Sequence, residues 1–184
     1  MGLRRIRVLF RDWRVREEID EIRHRHDREL RFLCDAMLVQ LGHWLRAAGY
    51  DTLIAAQRTA DRALVARAII DDRVLLTRDR KLCEIRDAGR HTVLLRSQRI
   101  DELVADITPR LGIDWLARPF SRCLVCNTEL RPAPPLARSR LPPAVLETVS
   151  EINHCRQCDK LYWAGGHVRR MMQRLARWQA GDFT

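Results

Sequence analysis

Val74-Leu75-Leu76-Thr77-Arg78-Asp79-Arg80 is an apolar run that ends abruptly in a charged cluster. Its lack of alternation suits a strand covered on both faces, as in a parallel sheet. Working outward, Phe32-Leu33-Cys34, Thr52-Leu53-Ile54-Ala55 and Thr92-Val93-Leu94-Leu95 have the same character. Helical spacing fills the gaps. Met37, Leu38, Leu41, Leu45 and Ala48 recur on one face until Gly49 ends the helix. Thr59 can N-cap a helix carrying Leu64, Val65, Ala68 and Ile69. A short helix near Arg80–Arg86 and another with Ile100, Leu103, Val104 and Ile107 complete the alternation. Strand and helix in turn predict parallel strands with right-handed crossovers, an α/β/α sandwich.

In such a sheet, ligands bind beyond the carboxyl ends of the strands. Asp35, Asp61 and Asp79 all fall at that edge, and Asp101 and Glu102 can join them as a fourth acid. Asp51, Asp71 and Asp72 precede strands and fall opposite. Gathered carboxylates repel one another, and a hard divalent cation, Mg²⁺ or Mn²⁺, relieves that repulsion. Such ions activate water and clamp a phosphodiester. The plainer role for Asp35 and Asp61 is helix capping.

Cys123-Leu124-Val125-Cys126 and Cys155-Arg156-Gln157-Cys158 are two CxxC knuckles. Together they make a Cys₄ site for Zn²⁺, closed to water and therefore structural. The spacer between them exceeds the usual ~15–20 residues of such modules. The proline-rich stretch 131–143, read as an irregular loop, absorbs the excess. Cys34 and Cys83 read as core residues, and His154 as a weak competitor for the metal.

Hydrophobic residues make up 46% of the 184, enough for a packed core. The formal charge is +10, nearly all from arginine, which favours a polyanionic partner. No apolar run approaches the ~20 residues of a membrane span. Met1–Arg16 lacks the apolar region of a signal peptide, so a cytoplasmic location is expected.

The charge divides the chain. Residues 1–31 hold 10 bases and 7 acids, a basic arm or helix; residues 32–115 hold 13 and 12; residues 116–184 hold 11 and 5. Pro119 marks a boundary near 117/118, with the α/β unit at 32–117 and a ribbon with a basic helix at 118–184. On that helix Val168, Met171, Met172, Leu175 and Trp178 form a packing stripe. Arg169, Arg170 and Arg174 are either solvated or grip phosphate. Tyr162, Trp163 and His167 can stack on bases or bury themselves against the ribbon.

With these residues in view, the chain resembles the Mut-seven C-terminal RNase family, a PIN-like nuclease domain followed by a zinc ribbon. The resemblance rests on Cys34–Leu38, Leu45–Thr52, Val74–Arg80, Pro119–Asn127 and Tyr162–His167. It implies a metal-dependent ribonuclease in which Asp35, Asp61 and Asp79 match the acidic positions. Arg78 or Arg80 would steady a phosphate oxygen, and RNA would be the partner, with a ribosomal or RNA-processing partner beside it. Two departures stand out. No fourth acid is unambiguous, Asp101 being the candidate, and the first 31 residues are too few for the ubiquitin-like domain of some relatives. The rival reading is a non-catalytic RNA-binding or ribosome-associated adaptor with a vestigial acidic edge.

Overall fold

The computed structural model describes residues 30–86 and 88–184, so the basic arm expected at the amino terminus lies almost wholly outside the described residues. Four strands, β1 (Arg31–Cys34), β2 (Asp51–Ile54), β3 (Val74–Thr77) and β4 (Thr92–Leu94), form one parallel sheet in the order β2-β1-β3-β4. The connecting helices are α1 (Val39–Ala47, preceded by a 3-10 turn at Ala36–Leu38), α2 (Asp61–Ile70), α3 (Arg80–Glu84) and α4 (Ile100–Leu111).

Successive side chains of a strand point to opposite faces, so each central strand feeds two cores. Phe32, Cys34, Val74 and Leu76 face a larger core with Leu41 and Leu45 of α1 and Leu103, Val104 and Ile107 of α4. Leu33 and Leu75 face a smaller one with Leu64, Val65 and Ala68 of α2 and Leu82 of α3. This is the three-layer α/β/α sandwich that the apolar runs predict.

Gly49 ends α1 with a backbone that only glycine adopts cheaply, φ 100°. A Cβ there would lie 2.3 Å from the Arg118 carbonyl oxygen, so Gly49 also admits the chain entering the ribbon. Thr59 does not cap α2. Its Oγ1 donates to the Ala56 carbonyl at 2.7 Å, and Ala60 takes the N-cap position.

The ribbon has a three-stranded antiparallel sheet of β5 (Arg131–Pro132), β6 (Ile152–His154) and β7 (Leu161–Trp163). The proline-rich stretch is more ordered than an irregular loop. Pro135 and Pro143 open the short helices α5 (Pro135–Arg138) and α6 (Pro143–Thr148). Proline's fixed φ suits a first helical turn, where its missing N–H has no intrahelical partner to lose.

The last helix, α7 (Gly166–Gln179), follows the ribbon in sequence but packs on the larger core through Met171, Leu175 and Trp178. Trp178 meets Trp44 and Trp115 edge-on, with centroids 4.7 and 5.1 Å apart. Packing therefore binds the chain's end back to the first unit, where sequence order grouped it with the ribbon. No helix among the described residues is long and apolar enough to cross a membrane.

Candidate functional site: an acidic sheet edge and a four-cysteine centre

Adjacent β1 and β3 send their following helices to opposite faces, α1 to the larger core and α3 to the smaller. That makes the crevice beyond their carboxyl ends the topological switch point, where open parallel sheets bind ligands. Asp35 and Asp79 flank this crevice. Asp35 N–H donates to the Leu76 carbonyl at 3.0 Å, carrying the ladder one residue past β1. The buried Thr77 hydroxyl then joins the two acids. It donates to Asp35 Oδ2 at 2.8 Å and accepts from Asp79 N–H at 3.0 Å.

Asp79 caps α3, its Oδ1 accepting from Lys81 N–H at 2.9 Å. The capping role weighed for Asp35 and Asp61 thus falls to Asp79, since neither of the others makes a side-chain cap bond. Among the described residues, Asp35 Oδ1 and Asp79 Oδ2 accept no hydrogen bond. Asp61 is exposed in the first turn of α2, beyond β2 on the outer flank. The three acids share an edge but do not close into a single ligand sphere among the described residues.

Asp101 is engaged elsewhere. Both its oxygens accept from Arg174 Nη2, at 2.9 and 2.7 Å, and Oδ1 accepts from the Trp178 indole N–H at 2.8 Å. Burial pushes the Asp101 carboxyl up, but these bonds outweigh it and hold the group below its ordinary value. Arg174 also lies over the rings of Trp44 and Trp178, at 5.4 and 5.1 Å. The residues expected as a fourth acid and as a phosphate grip are thus partners of each other. Arg169 Nε donates to the Ala164 carbonyl at 2.9 Å, and Arg169 and Arg170 are both exposed.

Arg78 and Arg80, which bracket Asp79 in the chain, line a cleft of about 370 Å³ together with Met37, Arg96 and Gln98. Arg96 and Gln98 carried no signal in the sequence beyond lying just past a strand.

The second centre is in the ribbon. The four cysteine sulfurs all lie within 4.8 Å of one another. Cys123–Cys158 and Cys126–Cys155 are 3.4 and 3.3 Å apart. A tetrahedral ion with metal–sulfur bonds of about 2.3 Å sets sulfurs about 3.8 Å apart, so the cluster fits one metal with little movement. The knuckles repeat each other. Asn127 N–H donates to the Cys123 carbonyl and Asp159 N–H to the Cys155 carbonyl, at 2.9 and 2.8 Å. Both residues are left-handed, φ 71° and 58°, a conformation that Asn and Asp tolerate best among non-glycine residues.

The first knuckle is fastened to the sheet by residues whose role the sequence did not reveal. Arg46 is buried in the last turn of α1. Its Nε donates to the Thr52 carbonyl at 2.8 Å, and its Nη1 to the Leu124 and Val125 carbonyls at 2.9 and 2.8 Å. Asn127 Oδ1 accepts from Thr52 N–H at 3.0 Å, while its Nδ2 donates to Asp51 Oδ1 at 2.7 Å. The docking point is the amino end of β2, opposite the acidic edge. Tyr162 is spent here too, its hydroxyl 3.1 Å from Cys123 Sγ and accepting from Leu124 N–H at 3.1 Å. Of the two roles open to Tyr162, packing against the ribbon is the one it fills.

The family model of the Mut7-C RNAse domain matches residues 30–175, which takes in the sheet, both knuckles and most of α7. No curated protein and no solved structure matches the chain. Parallel sheet, acidic switch point and cysteine centre thus fall within one matched unit, and the chain belongs to the Mut7-C RNase domain family.

Proposed function

We propose that the protein is a divalent-cation-dependent ribonuclease that hydrolyses phosphodiester bonds at the crevice between β1 and β3. The observation that carries this reading is the Thr77 hydroxyl joining Asp35 to Asp79 at the switch point. It leaves one carboxylate oxygen of each acid without a protein partner among the described residues, a hard-oxygen donor set suited to Mg²⁺ or Mn²⁺. Asp35 and Asp79 would hold the cation, with Asp61 adding negative charge on the flank of the same edge. When bound, the cation supplies a nucleophilic water and charge stabilisation at the phosphate. The protein's own part is positioning. Thr77 orients one carboxylate, α3 fixes the other, and Arg78 and Arg80 bring cations to the non-bridging oxygens.

The ribbon is proposed to hold a structural Zn²⁺, because four thiolates leave no open position for water. Six free cysteines suit a reducing compartment such as the cytoplasm. With Arg174 committed to Asp101 and Arg169 bonded to the Ala164 carbonyl, the grip expected on α7 is not part of the proposed RNA site.

One observation favours the adaptor reading: Asp101 supplies no fourth acid at the edge. Asp79→Asn separates the two. It keeps the side chain's shape and removes a charge needed for the cation. Cleavage of single-stranded RNA in Mg²⁺ or Mn²⁺ should fall at least ~100-fold, about 2.7 kcal/mol of transition-state stabilisation, while binding persists. A pure wild-type protein that binds RNA and cleaves none would establish the adaptor instead.

A further inference from the structure

We propose that the cleft bounded by Arg78, Arg80 and Arg96 seats one nucleotide of a single RNA strand, and that the strand leaves the acidic edge across β4, away from the zinc ribbon. This deepens the ribonuclease reading and rests on it. The walls of the cleft come from the residues that flank the acids. Met37 lies two positions past Asp35, and Arg78 and Arg80 bracket Asp79, while Arg96 and Gln98 follow β4. The cleft is thus walled by chain neighbours of both acids, while neither Asp35 nor Asp79 lines it.

The arginines are free to take it. Elsewhere in the fold Arg67, Arg73, Arg140, Arg174 and Arg177 each hold a carboxylate. Among the described residues Arg78, Arg80 and Arg96 hold none. Three arginines that line one concave surface and hold no ion pair among the described residues form an anion site, and guanidinium planes also stack on bases. Met37 is 54% exposed, and its thioether offers a base a soft apolar contact. A volume of about 370 Å³ is at the low end of ligand pockets, room for one unstacked nucleotide and not for a paired duplex.

The exit follows from a second groove of about 480 Å³, which shares Leu94 and Arg96 with the first and continues past Ser97 to Asp106 and Arg110, an ion pair at 3.0 Å that leaves Arg96 as the unpaired cation of this groove among the described residues. The ribbon is fastened at the amino end of β2, on the other side of the sheet. A strand on this path passes from Asp79 over Arg96 and does not meet the knuckles.

The test is fluorescence anisotropy of the full chain with a labelled ten-nucleotide oligouridine RNA, without added divalent cation or chelator. Arg96→Ala should weaken binding ~10-fold and flatten the log–log salt dependence by ~0.7, the contribution of one phosphate on a single strand. Arg96→Lys should keep most of the slope. The pair Arg169→Ala/Arg170→Ala should change affinity less than twofold. Arg96 is exposed, so an unchanged melting temperature will show that the fold survives. The same oligomer annealed to its complement should compete poorly.

Wild-type affinity in Arg96→Ala, a collapse of binding in the α7 pair, or equal binding of duplex would each overturn the path. These readouts do not involve cleavage. Loss of hydrolysis in Asp79→Asn with no effect of Arg96→Ala on binding would leave the nuclease standing and remove the cleft. The converse would remove the nuclease and leave the cleft.

Discussion

Thr77 Oγ1 donates a hydrogen bond to Asp35 Oδ2 at 2.8 Å, across the seam between β3 and β1. The same oxygen accepts from Asp79 N–H, so one buried hydroxyl sets the relative position of two acids 44 residues apart in sequence. Thr77→Val keeps the shape and strips both bonds. Stability should fall by about 1–2 kcal/mol, because the Asp79 amide loses its acceptor. RNA cleavage by the folded protein should fall at least ~10-fold through misplaced carboxylates, and Thr77→Ser should restore most of it. If Thr77→Val loses activity only in proportion to its unfolded fraction, the hydroxyl is structural and nothing more.

Metal removal should be felt beyond the ribbon. Structural zinc contributes on the order of 10 kcal/mol to small modules. Here the first knuckle also supplies the carbonyl acceptors of the buried Arg46. Cys126→Ser should therefore expose the ribbon to protease and also lower the melting temperature of the sheet unit, rather than leave residues 32–115 untouched. One equivalent of zinc per chain is expected in metal analysis. Four cysteines that alkylate freely in the native protein, with no metal present, would refute the centre.

Trp178 is 1% exposed and touches two other tryptophans as well as Asp101. Trp178→Ala should cost about 3–5 kcal/mol, the range for a large buried aromatic side chain. Arg174→Ala should also destabilise, since it leaves Asp101 with the indole alone. In neither variant should the folded fraction bind RNA more weakly. A binding defect in fully folded Arg174→Ala would return that residue to the phosphate grip.

The seam between sheet and ribbon should be acid-sensitive. Burial pushes the Asp51 carboxyl up, yet its hydrogen bonds to Arg73 and Asn127 outweigh that and hold it well below the ordinary value. A carboxyl depressed in the folded state adds stability that is complete above the unfolded value of about 3.9 and declines as pH falls below it. Asp51→Asn should cost about 1–2 kcal/mol at pH 7, and the gap from wild type should shrink below about pH 4. Melting curves across pH 3–7 measure it. A gap that widens toward acid would contradict the assignment.

The sequence by itself determined what depends on near neighbours. Unalternated runs such as Val74–Thr77 marked strands buried on both faces, and chain order placed Asp35, Asp61 and Asp79 at one edge. The CxxC spacing named all four sulfurs of the cysteine cluster. Periodicity and knuckle geometry act over a few residues, so they are written locally. Only the tertiary structure decided who pairs with whom. Asp101 looks like any helix-opening acid until Arg174, 73 residues away, is folded against it. Arg46 reads as a surface cation until the knuckle's carbonyls close over it. Arg96 has no motif, and belongs to the cleft because β4 lies beside β3. A buried charge takes the partner that the packed cores bring to it, and that partner is set by contacts across the whole chain.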